Sequence, residues 1–151
     1  MSTQQRNTSV ADREAFTSRV IELPLERVYR AITTPELLAQ WWGPSGFTST
    51  VKQCDIRPDG RWLLTMHGPD GRDYPNEYQF VEVEPERIVI RRVADTHAFT
   101  LTITLEDLGS STRIGWSQVF ADAAELAASL PTVGPANEQN LDRLTVVAAN
   151  N

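Results

Sequence analysis

The sequence predicts an α+β fold: a curved antiparallel sheet of about six or seven strands with two short helices and a C-terminal helix packed across it. Two observations support this prediction. Residues 47–120 alternate apolar and polar side chains between Pro-Asp-Gly turn sequences, which is typical of an antiparallel meander. Residues 122–149 then carry helix-forming residues. No repeat or linker is visible, so we expect a disordered polar tail over 1–12 and a single domain over 13–151.

The chain is expected to begin with a strand over 13–23, where neighbouring side chains alternate between two faces. Pro24 then opens the first helix, because proline is tolerated at a helix start. The apolar residues that follow recur at helical spacing: Leu25, Val28, Tyr29 and Ile32. A strand followed directly by a short amphipathic helix therefore leads into the rest of the fold.

The second helix is expected over 34–42, with Thr34 as the N-cap and Pro35 at the first helical position. The glycine and proline at 43–44 end it. Its large apolar residues are predicted to share one buried face: Leu37, Leu38, Trp41 and Trp42. Such a short helix is unstable alone, so this face must pack on something larger. Of the two tryptophans, Trp42 is the one predicted to point at the interior.

The strands that follow are separated by turn sequences rich in glycine, proline and aspartate. Six are predicted, over 48–56, 61–67, 76–84, 87–93, 99–105 and 114–120. A change of parity within 76–84 indicates a bulge or a strand that is buried on both faces. The regular alternation over 99–105 indicates that one side of the sheet is covered and the other is wet.

The closing helix is predicted to start with a capping box formed by Asp122 and Glu125. Pro131 and Pro135 are expected to break or kink it, because proline removes a helical hydrogen bond. The helix should resume near residue 136, with an apolar stripe made by Leu141, Leu144, and Val147 or Ala148.

Composition narrows the class of protein. A net charge of −6 and a pI near 4.9 argue against nucleic acid or an anionic membrane as the main partner. No apolar stretch is long enough to span a membrane, and the first twelve residues lack the apolar segment of a signal peptide. Cys54 is the single cysteine, which excludes an internal disulfide and fits a reducing compartment. We therefore expect a cytoplasmic protein.

No metal, cofactor or catalytic motif is evident. His67 and His97 are far apart in sequence, and no pair of histidines or cysteines has metal-ligand spacing. Cys54 has no local activating base, and there is no nucleophile elbow, dinucleotide fingerprint or phosphate loop. His67 could be a polar residue at the end of the sheet or an acid–base group in a pocket. The sequence therefore favours a protein that is not an enzyme.

Five segments in order resemble the START/Bet v 1-like (SRPBCC) superfamily, and within it the branch related to the C-terminal domain of the activator of Hsp90 ATPase. These segments are 28–44, 55–62, 66–71, 78–88 and 140–144. The resemblance implies a helix-grip fold. Two positions depart from the family pattern: Asp59-Gly60 replaces the usual Gly-Gly, and the prolines at 131 and 135 interrupt a final helix that is commonly unbroken.

The resemblance also implies a cavity between the sheet and the C-terminal helix, whereas the apolar pattern alone is equally compatible with a filled core. If the cavity exists, the residues predicted to face it are Trp42, Phe47, Trp62, Met66, His67, Tyr78, Phe80, Phe99, Leu101, Trp116, Gln118, Leu141 and Leu144. Gln118 is notable among them, because a buried amide needs hydrogen-bond partners and a ligand can provide one.

Three functions are compatible with this resemblance. The first is binding of an apolar or amphipathic small molecule in the cavity. The second is a co-chaperone-like contact with Hsp90 in the stress response. An argument against it is that the eukaryotic activators carry an additional N-terminal domain, for which this chain has no room. The third is a cyclase or hydrolase, which rests on analogy of fold alone. Such domains can form homodimers, although no residue pattern here specifies one.

Overall fold

The computed structural model of the protein describes residues 11–151, so most of the predicted tail lies outside the described residues. A short 3₁₀ turn (Ala11–Arg13) precedes the first strand. The strands are β1 (Glu14–Ile21), β2 (Thr48–Cys54), β3 (Arg61–His67), β4 (Asp73–Glu84), β5 (Arg87–Arg92), β6 (Phe99–Asp107) and β7 (Thr112–Phe120). The helices are α1 (Leu25–Thr33), α2 (Pro35–Trp41) and α3 (Ala123–Asn150).

The seven strands form one antiparallel sheet in the order β1-β7-β6-β5-β4-β3-β2. Five hairpins connect β2 to β7 in sequence, and β1 then pairs with β7, so the first strand completes the sheet beside the last. The pairing of β4 with β5 shifts register between Phe80 and Glu82, so of the two predicted alternatives, a bulge or a strand buried on both faces, the structure has the bulge. The predicted fold class is confirmed: a curved sheet holds one long helix, with two short helices at one end.

One face of the sheet carries the core. Its fully buried side chains come from every strand except β2 and include Ile21, Trp62, Phe80, Ile90, Ile103 and Trp116. The helices cover them with Val28, Ile32, Leu38, Trp41, Leu141 and Leu144, all of which are at most 1% exposed. Each such side chain contributes about 1.5–3 kcal/mol through the hydrophobic effect, so this face dominates the stability of the fold.

Helix α2 ends one residue earlier than predicted. Trp41 is its last residue, whereas Trp42 is extended (φ −73°, ψ 132°) and donates its backbone N–H to the Leu38 carbonyl. The two tryptophans therefore do not share one helical face: Trp41 packs under the helices, where its indole N–H donates to Ala31 O (2.9 Å), and Trp42 enters the space between the sheet and α3. Thr34 occupies the N-cap position, but its side chain forms no capping hydrogen bond.

Helix α3 runs without a break from Ala123 to Asn150, so the prediction of an interruption at Pro131 and Pro135 is wrong in that respect. Of the predicted capping box, the Asp122 cap is confirmed, since its side chain accepts a hydrogen bond from the Glu125 N–H (2.8 Å), whereas the Glu125 carboxylate lies 3.4 Å from His97. Both prolines are exposed, so the carbonyls that lose a helical partner can bind water instead. Gly134 precedes Pro135 and has no Cβ to clash with the proline ring.

A charged cluster joins α3 to the edge strand β1. Arg19 pairs with Glu138 (2.7 Å) and Asp142 (2.6 Å), and the Thr17 hydroxyl donates to Glu138 (2.7 Å). The hydrogen bond from Thr17, followed by that from Arg19, lowers the pKa of Glu138 below its ordinary value of 4.5. A carboxylate with a lowered pKa stabilises the fold above the unfolded pKa and loses that effect as pH falls through the folded pKa.

We expect Glu138→Gln to lower the free energy of unfolding at pH 7 by less than about 1 kcal/mol, because the pair is half exposed. The difference from wild type should be smaller at pH 3 than at pH 7, because protonation of the Glu138 carboxyl group as pH falls removes the charge that glutamine lacks. Urea unfolding at both pH values measures this. Glu22→Gln is the control, since Glu22 is exposed and forms no ion pair with the described residues. Equal differences at the two pH values would contradict the assignment.

Candidate functional site

A pocket of about 200 Å³ lies between the sheet and α3. Strands β3, β4, β6 and β7 form one wall, the turn after α2 forms the floor, and α3 forms the opposite wall. Its lining residues are Trp42, Gly43, Pro44, Met66, Tyr78, Phe99, Leu101, Trp116, Gln118, Thr132, Val133, Ala136, Asn137 and Asn140. Thr132 is exposed, so the pocket opens to solvent beside the first half of α3. None of the lining side chains is an acid, a base or a histidine.

Trp42 is the central aromatic side chain of the pocket. Its ring packs edge-on against Trp62 (centroids 4.9 Å apart) and Tyr78 (5.5 Å), and lies 6.2 Å from Trp116. Edge-to-face arrangements of this kind add about 0.5–1.5 kcal/mol per pair beyond burial, so these contacts stabilise the position of the Trp42 ring. The extended backbone after Trp41 is what allows the ring to leave the helix and reach the sheet.

The turn after α2 is clamped by α3. Asn140 Oδ1 accepts the backbone N–H of Gly43 (2.9 Å), and the Arg143 guanidinium donates to the carbonyls of Gly43 (2.8 Å) and Gln40 (3.0 Å). Gly43 has a φ of +109°, which favours glycine, and an added Cβ would lie 2.6 Å from Met66 Cε. The floor of the pocket is therefore fixed by contacts between segments almost 100 residues apart in sequence.

Three amide side chains bring polar atoms to the pocket. Asn137 Nδ2 donates to Gln118 Oε1 (3.1 Å), and Asn140 holds Gly43 as described. All three amides are less than 10% exposed. Near them, the indole N–H of Trp116 is buried without a hydrogen-bond partner in the described part of the chain. An unpaired buried donor is unfavourable by about 1–3 kcal/mol. The described chain provides no acceptor for the Trp116 N–H, so a hydrogen-bond acceptor from outside the protein would be favourable here.

Tyr78 is the one lining residue with a hydroxyl that can ionise near the upper pH range. Burial raises the pKa of Tyr78, and the neighbouring Trp42 and Arg92 only partly oppose this effect. The phenol therefore stays neutral at physiological pH. The pocket accordingly offers hydrogen bonds and aromatic surface, but no charge and no group suited to proton transfer.

The structure brings together seven of the predicted pocket residues: Trp42, Met66, Tyr78, Phe99, Leu101, Trp116 and Gln118. Four others are packed in the core beside or beneath the pocket and do not line it: Trp62, Phe80, Leu141 and Leu144. Phe47 packs on Tyr74 (centroids 5.9 Å apart) outside the lining. His67 lies on the opposite face of the sheet, because it is next to the inward-facing Met66 in β3.

The α3 side of the pocket was missed by the sequence prediction: Thr132, Val133, Ala136, Asn137 and Asn140. These residues were missed because the helix was expected to be interrupted at Pro131 and Pro135. The apolar stripe of Leu141, Leu144 and Ala148, continued backwards by one helical turn, reaches Asn137 and Asn140. Two asparagines on the buried stripe of a helix are the pattern that could have identified this wall.

His67 belongs to a hydrogen-bonded row on the outer face. Its Nε2 lies 2.7 Å from Thr50 Oγ1, and its Nδ1 lies 2.7 Å from Asp73 Oδ1. The three residues come from β2, β3 and β4, at the same end of the sheet. Since the row faces away from the pocket, it cannot act on a molecule bound there, and we interpret it as cross-strand pairing. His97 is exposed in a loop and lies 3.4 Å from Glu125.

The other candidate groups lack reactive character. Burial raises the pKa of the Cys54 thiol to about 11, so little thiolate exists at neutral pH. Among the described residues, no group of histidine, cysteine, aspartate and glutamate side chains could hold a metal ion. A broader depression of about 480 Å³ lies on the outer face near Lys52, where the β2–β3 pairing shifts register, but it is an open groove with charged residues at its sides. Within 11–151, no helix has the length and apolar character to cross a membrane.

Comparisons with known proteins identify the family and the fold. The profile of a family described as "Activator of Hsp90 ATPase homolog 1-like protein" matches residues 22–149, which is most of the chain. The class defined by the fold is therefore the helix-grip, Bet v 1-like class, and the chain belongs to the activator of Hsp90 ATPase homolog 1-like family. A search of curated proteins gave no significant match.

Several solved bacterial structures share the fold. A protein from Nitrosomonas europaea has a TM-score of 0.84 at 23% identity, with 93% of this chain and 96% of that chain covered. One from Arthrobacter aurescens has the same TM-score at 18% identity, with 93% and 88% covered. One from Chromobacterium violaceum has a TM-score of 0.78 at 26% identity, with 90% and 96% covered. These similarities establish the architecture in which the pocket lies.

Proposed function

We propose that this protein binds an apolar or amphipathic small molecule in the pocket between the sheet and α3. The observation that supports it best is a preformed pocket with aromatic walls and buried amide groups. Such a combination of mostly apolar surface and a few polar groups is typical of small-molecule sites. Binding would be driven by removing the apolar part of the ligand from water, while the amides orient its polar part.

The size of the pocket limits the ligand. A volume of about 200 Å³ is below the range of roughly 300–1,000 Å³ found for drug-sized ligands. It is slightly larger than an engineered cavity of about 150 Å³ that takes up benzene. The pocket thus suits a molecule built on one ring or an aliphatic chain of similar volume, and it is too small for a complete lipid.

Native mass spectrometry of the purified protein and a ¹H–¹⁵N NMR titration with acetophenone test the proposal. The four tryptophan indole N–H groups give a direct assignment, since Trp42 and Trp116 line the pocket and Trp41 and Trp62 do not. We expect the indole signals of Trp42 and Trp116 to shift most. Saturable shifts confined to residues outside the pocket would reject it.

A variant that fills the pocket provides the matched comparison. Ala136 faces the pocket from α3, so Ala136→Leu should reduce the affinity for acetophenone at least about tenfold by occupying the ligand's volume. Ala128→Leu makes the same change at an exposed position of the same helix and should leave the affinity unchanged. If the two variants bind equally well, the ligand site is elsewhere.

The family match supports contact with an Hsp90-type chaperone as a second candidate function. Its test is a titration of the protein into an Hsp90 ATPase assay, with the Ala136→Leu variant in parallel. Stimulation that is equal for both proteins would assign the interaction to a surface outside the pocket. Acid–base catalysis in the pocket is less well supported, because its lining residues include no acid, base or histidine.

A further inference from the structure

The hydrogen-bonding groups of the pocket are not balanced between donors and acceptors. Gln118 Oε1 is already engaged by Asn137, and Asn140 Oδ1 is engaged by Gly43. The amide nitrogens of Gln118 and Asn140 donate to no other part of the described chain, and neither is among the fully sealed unpaired atoms. Each primary amide nitrogen carries two N–H donors, so as many as four donors border the pocket. Of the three amide oxygens, Asn137 Oδ1 is the one that accepts no hydrogen bond from the described chain, the other two each keep one free lone pair, and the Trp116 indole N–H is a further unpaired donor.

The pocket is also electrically neutral. Its lining contains no charged side chain, and burial keeps Tyr78 protonated. Two guanidinium groups lie close to lining residues but are not themselves part of the lining, and their N–H groups donate to neutral oxygens of the protein. Arg143 donates to the backbone carbonyls of the floor, and Arg92 donates to Asn76 Oδ1 (3.0 Å) and to the carbonyls of the loop after β5. A carboxylate or ammonium group in the pocket would lose its hydration without direct contact with a charged side chain, because the lining contains none.

From this donor excess and this neutrality we infer the chemical class of the ligand, an inference that rests on the proposed binding function. The ligand is an uncharged molecule about the size of one ring that carries a hydrogen-bond acceptor such as a carbonyl oxygen. The acceptor takes an N–H from Gln118 or Asn140, and the ring packs against the pocket-facing sides of Trp42 and Trp116. Molecules of the same shape that lack the acceptor, or that carry a negative charge, bind more weakly.

Three probes of similar size separate these contributions: acetophenone is neutral with an acceptor, ethylbenzene is neutral without one, and benzoate is anionic. We expect acetophenone to bind about fivefold more tightly than ethylbenzene, the effect of one net hydrogen bond. Benzoate should bind at least about tenfold more weakly than acetophenone. Affinities come from ¹H–¹⁵N titrations at pH 7, with the side-chain NH₂ signals of Gln118 and Asn140 as reporters. These signals should move with acetophenone and stay nearly fixed with ethylbenzene.

Gln118→Met keeps the length of the side chain and removes its donors. If Gln118 supplies the hydrogen bond, this variant binds acetophenone and ethylbenzene equally; if Asn140 supplies it, the preference remains and the Asn140 NH₂ signals carry the shift. Gln79→Met is the control, because it makes the same change on the outer face of β4. The comparison of probes on the unmodified protein needs no variant, so the inference stays testable even if Gln118→Met does not fold.

The outcomes separate this inference from the proposed function. If ethylbenzene binds in the pocket as tightly as acetophenone, or benzoate binds more tightly, the pocket is a binding site but the inferred ligand class is wrong. If none of the three probes shifts the indole signals of Trp42 and Trp116, the proposed binding function fails, and the inferred class fails with it. A preference for acetophenone with movement of the amide signals supports both.

Discussion

Gly60→Ala is expected to lower the free energy of unfolding by at least about 3 kcal/mol, because the new methyl group would collide with main-chain atoms. A Cβ at this position would lie 1.9 Å from the Asp55 carbonyl oxygen and 2.9 Å from that of Arg57. Neither atom is a flexible side-chain end that can move aside. Gly60 also donates its N–H to Arg57 and accepts one from Phe80, so the turn between β2 and β3 is fixed against β4. Urea unfolding followed by tryptophan fluorescence measures the loss.

Gly109→Ala is the control for this substitution. Gly109 has a φ of +95°, and an added Cβ would have no neighbour within 4 Å, so alanine there brings only backbone strain of about 1–2 kcal/mol. Gly60 is not among the glycines of the described chain that have a positive φ. The destabilisation expected for Gly60→Ala therefore comes from steric overlap and not from backbone strain. If Gly60→Ala destabilises the protein no more than Gly109→Ala does, the Asp55 and Arg57 carbonyl oxygens do not lie as close to Gly60 as the structure places them.

Gly43→Ala is expected to lower the free energy of unfolding by about 2–3 kcal/mol and to weaken binding in the pocket. The positive φ accounts for about 1–2 kcal/mol, and displacement of Met66, whose Cε lies 2.6 Å from the new Cβ, accounts for the remainder. Met66 lines the pocket, so its displacement changes the volume available to a ligand. Urea unfolding and an acetophenone titration measure the two effects.

Gly46→Ala is the matched control in the same loop. Gly46 also has a positive φ (+88°), but the nearest atom to an added Cβ is Pro69 Cγ at 3.6 Å, an ordinary contact. It should destabilise the fold through the backbone alone and leave the affinity of the pocket unchanged. Equal effects of alanine at 43 and 46 on affinity would contradict the role of Gly43 as part of the floor.

The fold could be predicted from sequence because its elements are locally encoded. Alternation over 99–105 and the turn sequences between the strands define hairpins without any long-range information. The bulge in β4 is likewise indicated by a local pattern, the change of parity in its apolar residues. The pairing of β1 with β7 joins strands about 100 residues apart, and no local pattern in the sequence specifies it.

The pocket was only half predicted, for two different reasons. His67 and Met66 are neighbours in one strand and point to opposite faces, so period-two alternation alone excludes that both face the pocket. In contrast, alternation cannot tell Trp116, which lines the pocket, from Phe80, which is in the filled core. That distinction depends on where α3 lies across the sheet, which is a property of tertiary packing.

The two prolines make the first part of α3 less stable than the part that follows residue 136. Pro131 and Pro135 lack the N–H groups that would bind the carbonyls of residues 127 and 131, and the helix there is largely exposed. From Asn137 onwards the ladder is complete, and Leu141, Leu144 and Ala148 are fully buried. Opening of the helix therefore requires less free energy before residue 136 than after it. Since the pocket meets solvent along that first segment, a molecule bound as we propose would exchange by local opening of that segment while the hydrophobic core stays folded.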